Sequence, residues 1–315
     1  MPRTSRGEHQ AEARPWGAQD GLLRRVVATG ARLLGGADQA SPGPGSVVVP
    51  PLAADLAPPP AADIPPNPAI ARAAWADRLW GDGMAIPGGA EEVLRLAALL
   101  PLTPAHTVLL AGLGARAAGG VVAGARGCFV SAHEVDLVPA PPGRRALSRR
   151  VTAATLSPGA PSFRAAYHQH ALLLEPFRAG GAPERLLRAT AAALRDGGEV
   201  VLLDLVASGR DADARWLAAE ARQSPPPEAA MPEALEKAGF RIHVVEDAGA
   251  RQQRAVMLGW ITLLEALRME PARPTPQAAA ALVAEAEAWL LRLRLLRDGR
   301  LRLLRWHASL VRRPG

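Results

Sequence analysis

From about residue 69 onward the apolar positions alternate between two periods. Ala69–Trp80 and Ala90–Leu100 read as amphipathic helices, the second with Val93, Leu96, Ala97 and Leu100 on one face, and Gly81–Gly89 reads as the loop between them. Short apolar runs at Thr107–Ala111, Cys128–Ala132, Val151–Leu156, Ala171–Leu174, Glu199–Leu205, Arg241–Val245 and Ala255–Trp260 have the length and composition of buried strands. Helical spacing returns between them, at Pro183–Leu194 and Pro232–Ala238. Apolar strands alternating with helices predict an α/β fold, a doubly wound, mostly parallel sheet with helices on both faces. The last two runs, joined by Glu246–Arg254, predict an antiparallel hairpin at one edge.

Ahead of this region the pattern weakens. Gly21–Leu34 has roughly helical spacing, with Leu22, Leu23, Val26 and Val27 interleaved by arginines. Residues 38–68 then hold ten of the thirty prolines. Proline lacks a backbone donor and fixes φ, so this stretch neither joins a ladder nor continues a helix. The expected organisation is a disordered arm and linker over 1–68, an α/β domain over 69–262, and a basic Leu/Arg-rich helical extension over 263–315.

Composition narrows the classes. No window approaches eighteen uninterrupted apolar residues, which excludes a transmembrane helix, and no secretory-type apolar core stands near the start, so a cytoplasmic protein is expected. Cys128 is the only cysteine, which excludes a disulfide framework and a zinc site built on several thiolates. It lies in an apolar run and reads as an inert core thiol. Aromatic residues make up 4%, too few for base-stacking nucleic-acid modules. The formal charge of +7 is local: residues 288–315 carry eight arginines against Asp298 alone, leaving the remainder neutral. A diffuse nucleic-acid surface is therefore not expected. In the tail, Trp289, Leu290, Leu293 and Leu296 form an apolar helical stripe with Arg292 off it, Asp298-Gly299 offers a turn, and Arg300–Leu303 suits strand or helix. Such a segment rests on an anionic membrane or a partner protein, or packs its Leu/Trp face on the domain; Trp289 and Trp306 favour packing.

The sharpest local signal is the run from Val108 through Ala111, Gly112, Leu113 and Gly114, a strand entering a glycine turn ahead of a helix. Open parallel sheets bind ligands at the carboxyl ends of their strands, and glycines there let the backbone approach the ligand. About twenty residues later stand Glu134 and Asp136, and a carboxylate at that place can accept hydrogen bonds from both hydroxyls of a ribose. Glu134 and Asp136 equally suit a solvated loop.

Leu79–Glu92 (LWGDGMAIPGGAEE), Val108–Gly114, Glu134, Pro183–Leu205 (PERLLRATAAALRDGGEVVLLDL) and Lys237–Phe240 (KAGF) together resemble class I S-adenosylmethionine-dependent methyltransferases, over roughly residues 70–262. The first of these segments is similar to the lead-in of small-molecule N-methyltransferases. The resemblance implies S-adenosylmethionine as cofactor and a small-molecule acceptor of its methyl group. It implies that Ala111, Gly112, Leu113 and Gly114 pass under the cofactor, that Glu134 holds the ribose, and that Ala171–Leu174 and Glu175 line the acceptor pocket. His168, His170 and Glu175 are then the candidates for moving a proton, in a reaction that owes much to positioning. Two positions depart from the family pattern: Leu110 stands where an acidic residue is usual, and Arg116 where a third glycine is. These departures fit a second reading, a methyltransferase-like fold that binds or scaffolds without catalysis. His168 and His170, at i and i+2, lack a third ligand at metal spacing, so no metal site is expected.

Overall fold

The computed structural model describes residues 68–135, 148–209 and 213–311. The expected helix at Gly21–Leu34, the proline-rich stretch up to residue 67, Asp136, Arg312 and Arg313 lie outside the described residues. Two helices, α1 (Pro68–Trp80) and α2 (Gly89–Ala97), lead into strand β1 (Thr107–Gly112). Helix α3 (Ala115–Arg126) crosses to β2 (Phe129–Glu134), which is followed by β3 (Val151–Thr155) and β4 (His168–Leu174). A 3-10 turn at Pro176–Ala179 and α4 (Pro183–Ala193) lead to β5 (Leu194–Ala207). Then come α5 (Ala214–Glu220), α6 (Ala230–Lys237), β6 (Phe240–Asp247), α7 (Gly249–Met269), α8 (Pro276–Arg297) and β7 (Leu301–Leu310).

The seven strands form one sheet in the order β3-β2-β1-β4-β5-β7-β6. β1 to β5 pair in parallel, and β7 runs antiparallel to both its neighbours. Because side chains alternate along a strand, successive residues enter different cores. Leu110, Leu172 and Val201 pack under α1, α2, α3, α7 and α8, while Leu109, Leu173 and Leu202 pack under α4 and α6. Covering on both faces explains why these strands read as continuous apolar runs. The long helix α8 starts where its residues dictate: Thr275 accepts from the Ala278 N–H, and Pro276 occupies the first turn.

Two expectations are corrected. Ala255–Trp260 is not a strand but the middle of α7, whose buried positions Gln252, Val256, Trp260 and Leu263 recur every three or four residues. An apolar run of that length does not separate a strand from a helix, and the longer period decides. The antiparallel edge exists, but its partner strand comes from the tail. β7 inserts between β5 and β6, pairing Leu202 with Trp306 and Phe240 with Leu310. The segment after residue 262 is therefore not only helical; it completes the sheet.

The tail arginines among the described residues meet carboxylates, and three of these arginines do so on the domain. Arg300 meets Asp213, Arg302 meets Glu228 and Asp247, Arg305 meets Glu246, and Arg294 and Arg297 meet Asp298. No helix among the described residues is long and apolar enough to cross a membrane. Trp306 is 1% exposed in the core beneath α4 and α6. Trp306→Ala is expected to lower unfolding stability by about 3–5 kcal/mol in urea denaturation; a loss under about 1 kcal/mol contradicts a β7 buried within the sheet.

Candidate functional site

At the carboxyl end of β1 the chain turns sharply because neighbouring backbone leaves it no room. Gly112 has φ of +125°, and a Cβ there would stand 2.0 Å from the Leu174 carbonyl oxygen. The Leu113 N–H donates to that same oxygen at 2.7 Å, fastening the turn to β4. Gly114 follows with φ of +67°, and α3 begins at the next residue. A helix start carries unpaired N–H groups and partial positive charge. Glu134, at the end of β2, meets both needs: its Oε1 accepts from the Gly114 N–H and its Oε2 from the Arg116 N–H, each at 2.8 Å.

A cavity of about 400 Å³ opens over this turn. One wall is Leu113, Gly114, Arg116, Glu134 and Val135; α1 contributes Arg72, Asp77 and Trp80, and α8 contributes Glu285, Trp289 and Arg292. The Gly81–Gly89 loop closes over the turn, with Gly83 and Ala85 against Gly114, and the Gly83 N–H donates to Asp77 Oδ1 at 2.7 Å. Trp80 and Trp289 meet edge to face, with ring centroids 5.4 Å apart.

The sequence-nominated residues divide. Leu113, Gly114 and Glu134 line the cavity, while Ala111 and Gly112 are buried in β1 behind it. His168 and His170 stand at the opposite end of the sheet. His170 pairs with Val108 at the start of β1, whereas Leu174 pairs with Gly112 at its end, about 13 Å away at the rise of a strand. Burial lowers the His168 imidazole to about 4 and lowers His170 as well. Their nomination as proton carriers at the site is corrected: both belong to the far end of β4.

Glu175 is corrected too. It is fully buried, and Arg292 and Arg222 donate to its carboxylate at 2.8 to 3.2 Å. Burial alone would raise it, but the two guanidinium charges hold it below the usual carboxylate range. An ion held this way anchors structure rather than moving protons. It belongs to a cluster with Arg178, Asp204, Glu220, Arg222 and Arg292. Arg292 reaches Glu220 at 2.6 Å, and the Trp216 indole N–H donates to the same carboxylate at 2.7 Å. Burial pushes Asp204 up to about 7 against the lowering pull of Arg222.

Sequence reasoning missed Arg72, Asp77, Arg178, Glu220, Glu285 and Arg292, because none lies in a strand-end motif. For Arg292 a signal existed. Glu285, Ala288, Trp289, Arg292 and Leu295 are buried at helical spacing, so Arg292 lies within the buried stripe of α8, not off it.

Glu220 yields a pH test. Burial would raise it, yet Arg292, Arg178 and Arg222 bring it down from 4.5 to about 2. Its folded value is below its unfolded one, so it adds stability above pH 4.5 that is lost as pH falls toward 2. Glu220→Gln is expected to cost about 3–5 kcal/mol at pH 7, since Arg292 and Arg178 lose a buried partner. Denaturation between pH 2 and 4.5 should also show a shallower acid loss; an acid limb as steep as that of the native chain contradicts the assignment.

No protein-family model matches the sequence, and no curated protein matches it. Solved structures match on fold. A phosphoethanolamine N-methyltransferase of Haemonchus contortus is 16% identical, with a TM-score of 0.61 over 76% of this chain and 57% of its own. A geranyl diphosphate C-methyltransferase from Streptomyces coelicolor A3(2) is 15% identical, with a TM-score of 0.51 over 70% of this chain and 80% of its own. The 4+2 cyclase SpnF is 18% identical, with a TM-score of 0.53 over 74% of this chain and 85% of its own. The chain spans just over half of the Haemonchus protein. Likeness at such identities establishes architecture, and chemistry has to be argued from the site. With its seven-stranded sheet, its single antiparallel strand β7 and these neighbours, the chain has the class I S-adenosylmethionine-dependent methyltransferase fold.

Proposed function

We propose that the chain binds S-adenosylmethionine in the cavity over the glycine turn and transfers its methyl group to a small-molecule acceptor. The observation that carries this reading is Glu134: a carboxylate on the cavity wall, at the end of β2, held in place by the amides that open α3. A carboxylate offers about four acceptor sites, and a ribose diol is a ligand group suited to it. The Haemonchus and Streptomyces neighbours were solved with S-adenosylmethionine and S-adenosylhomocysteine, respectively.

The residues present fit this cofactor. A volume of about 400 Å³ falls within the roughly 300–1,000 Å³ of small-molecule and cofactor sites. Leu113, Gly114 and Val135 give apolar surface next to Glu134. When bound, the cofactor supplies an activated methyl group on a sulfonium. The chain contributes placement and shelter. Trp80 and Trp289 give the cavity an aromatic wall, and the Gly81–Gly89 loop covers the turn. Arg178 lines the cavity together with Arg72, Arg116 and Arg292, and such a set of guanidinium groups suits an acceptor carrying an anionic or hydrogen-bond-accepting group. Positioning of the acceptor beside the sulfonium methyl then carries much of the catalysis.

A second reading, binding without turnover, is favoured by Leu110: it is wholly buried in the core beneath α1 and α3, so the turn lacks a carboxylate there. Titration calorimetry with S-adenosylhomocysteine tests the first reading. Saturable micromolar binding is expected, weakened at least about tenfold by Glu134→Ala; a folded native chain that gives no binding heat overturns the proposal. Methyl transfer from labelled S-adenosylmethionine to a panel of small acceptors then separates the enzyme from the silent binder.

A further inference from the structure

Most charged side chains on the cavity wall are answered from within the protein. Arg72 pairs with Glu285 at 2.8 Å, Arg178 and Arg292 pair with Glu220 at 3.2 and 2.6 Å, and Glu134 accepts from two amides. Two are not answered in this way. Arg116 sits half-buried in the first turn of α3, and its guanidinium has no partner among the described residues. Asp77, on α1, accepts only the Gly83 N–H, at 2.7 Å, and meets no cation among the described residues.

The backbone brings these two to one place. Asp77 holds Gly83, and a Cβ on Gly114 would lie 3.2 Å from the Gly83 carbonyl oxygen and 3.1 Å from the Ala85 nitrogen, so this loop rests on the turn that ends two residues before Arg116. A cation and an anion thus border one cavity without forming an ion pair with each other. Leaving opposite charges apart in a partly desolvated cavity forgoes their attraction unless a ligand bridges them.

We propose that Arg116 and Asp77 are the two halves of a receptor for a zwitterionic α-amino-acid end group, with Arg116 taking the carboxylate and Asp77 the ammonium. The inference rests on the S-adenosylmethionine reading above, because the methionine end of that cofactor is such a group. Arg116 is then a binding residue and not an obstruction, and the planar guanidinium is the side chain best shaped to meet a carboxylate with two parallel hydrogen bonds.

The test needs two probes and the full chain. S-adenosylhomocysteine carries the amino-acid end, and 5′-methylthioadenosine keeps the adenosine and the thioether but lacks it. Calorimetry on the native chain is expected to show S-adenosylhomocysteine binding at least about tenfold tighter. Arg116→Gln and Asp77→Asn, each with an unchanged melting curve, should each remove about tenfold from S-adenosylhomocysteine affinity and leave 5′-methylthioadenosine affinity within about twofold. Asparagine keeps the acceptor for the Gly83 N–H, so the loop is preserved. Equal affinities of the native chain for the two compounds, or tighter S-adenosylhomocysteine binding by Arg116→Gln, overturn this inference and leave the cofactor reading standing. Binding of neither compound overturns both.

Discussion

Arg292 donates hydrogen bonds to both oxygens of Glu175, at 2.8 and 3.1 Å, and to both oxygens of Glu220, at 2.6 Å each. It thereby ties α8 to the ends of β4 and α5, three elements distant in sequence. Burying charges costs several kcal/mol per ion and is tolerated only when every partner is present, so this cluster forms as a unit or not at all. It also explains the backbone of Glu175, which adopts a left-handed conformation with φ of +41°. Such a residue costs about 1–3 kcal/mol and persists where its surroundings fix it from several sides. The turn that follows sends Arg178 to the cavity, and the anchored α8 presents Glu285, Trp289 and Arg292 to the same space.

The opposite wall follows from a second electrostatic match, between the start of α3 and Glu134. The helix needs an acceptor for its first amides, and the carboxylate needs donors to stay fixed on a cavity wall; each serves the other. The same pairing fixes Glu134 on the cavity wall. The cavity thus arises from two unrelated fastenings, one on each side, with the Gly81–Gly89 loop between them. The fold beneath it is shared with a 4+2 cyclase as well as with methyltransferases. The side chains on the wall decide the chemistry.

Much of the sheet was legible in the sequence because it is buried on both faces. Thr107–Ala111 and Ala171–Leu174 read as strands since continuous apolar runs have few other uses at that length. Ala255–Trp260 misled for the same reason: six residues of α7 look apolar until the stripe from Gln252 to Leu263 is followed over the full helix. β7 was obscured by its arginines, which read as a solvated or membrane-facing tail. Only the fold reveals that Arg302 and Arg305 reach carboxylates on other segments. In the candidate site, Gly114 and Glu134 were readable from spacing along β1 and β2, whereas Asp77, Glu220 and Arg292 meet only through tertiary packing. His168 and His170 failed as candidates because a residue's place along a strand decides which end of the sheet it serves, and β4 begins earlier than its apolar run.

If the wall built by Glu134 and the wall built by Arg292 enclose one ligand site, a crystal structure of the chain grown with S-adenosylhomocysteine will show it. The compound is expected in this cavity, with its ribose hydroxyls on Glu134 and the Arg292 contacts to Glu175 and Glu220 intact. S-adenosylhomocysteine bound elsewhere on the molecule, or in the cavity with its ribose away from Glu134, would contradict such a site.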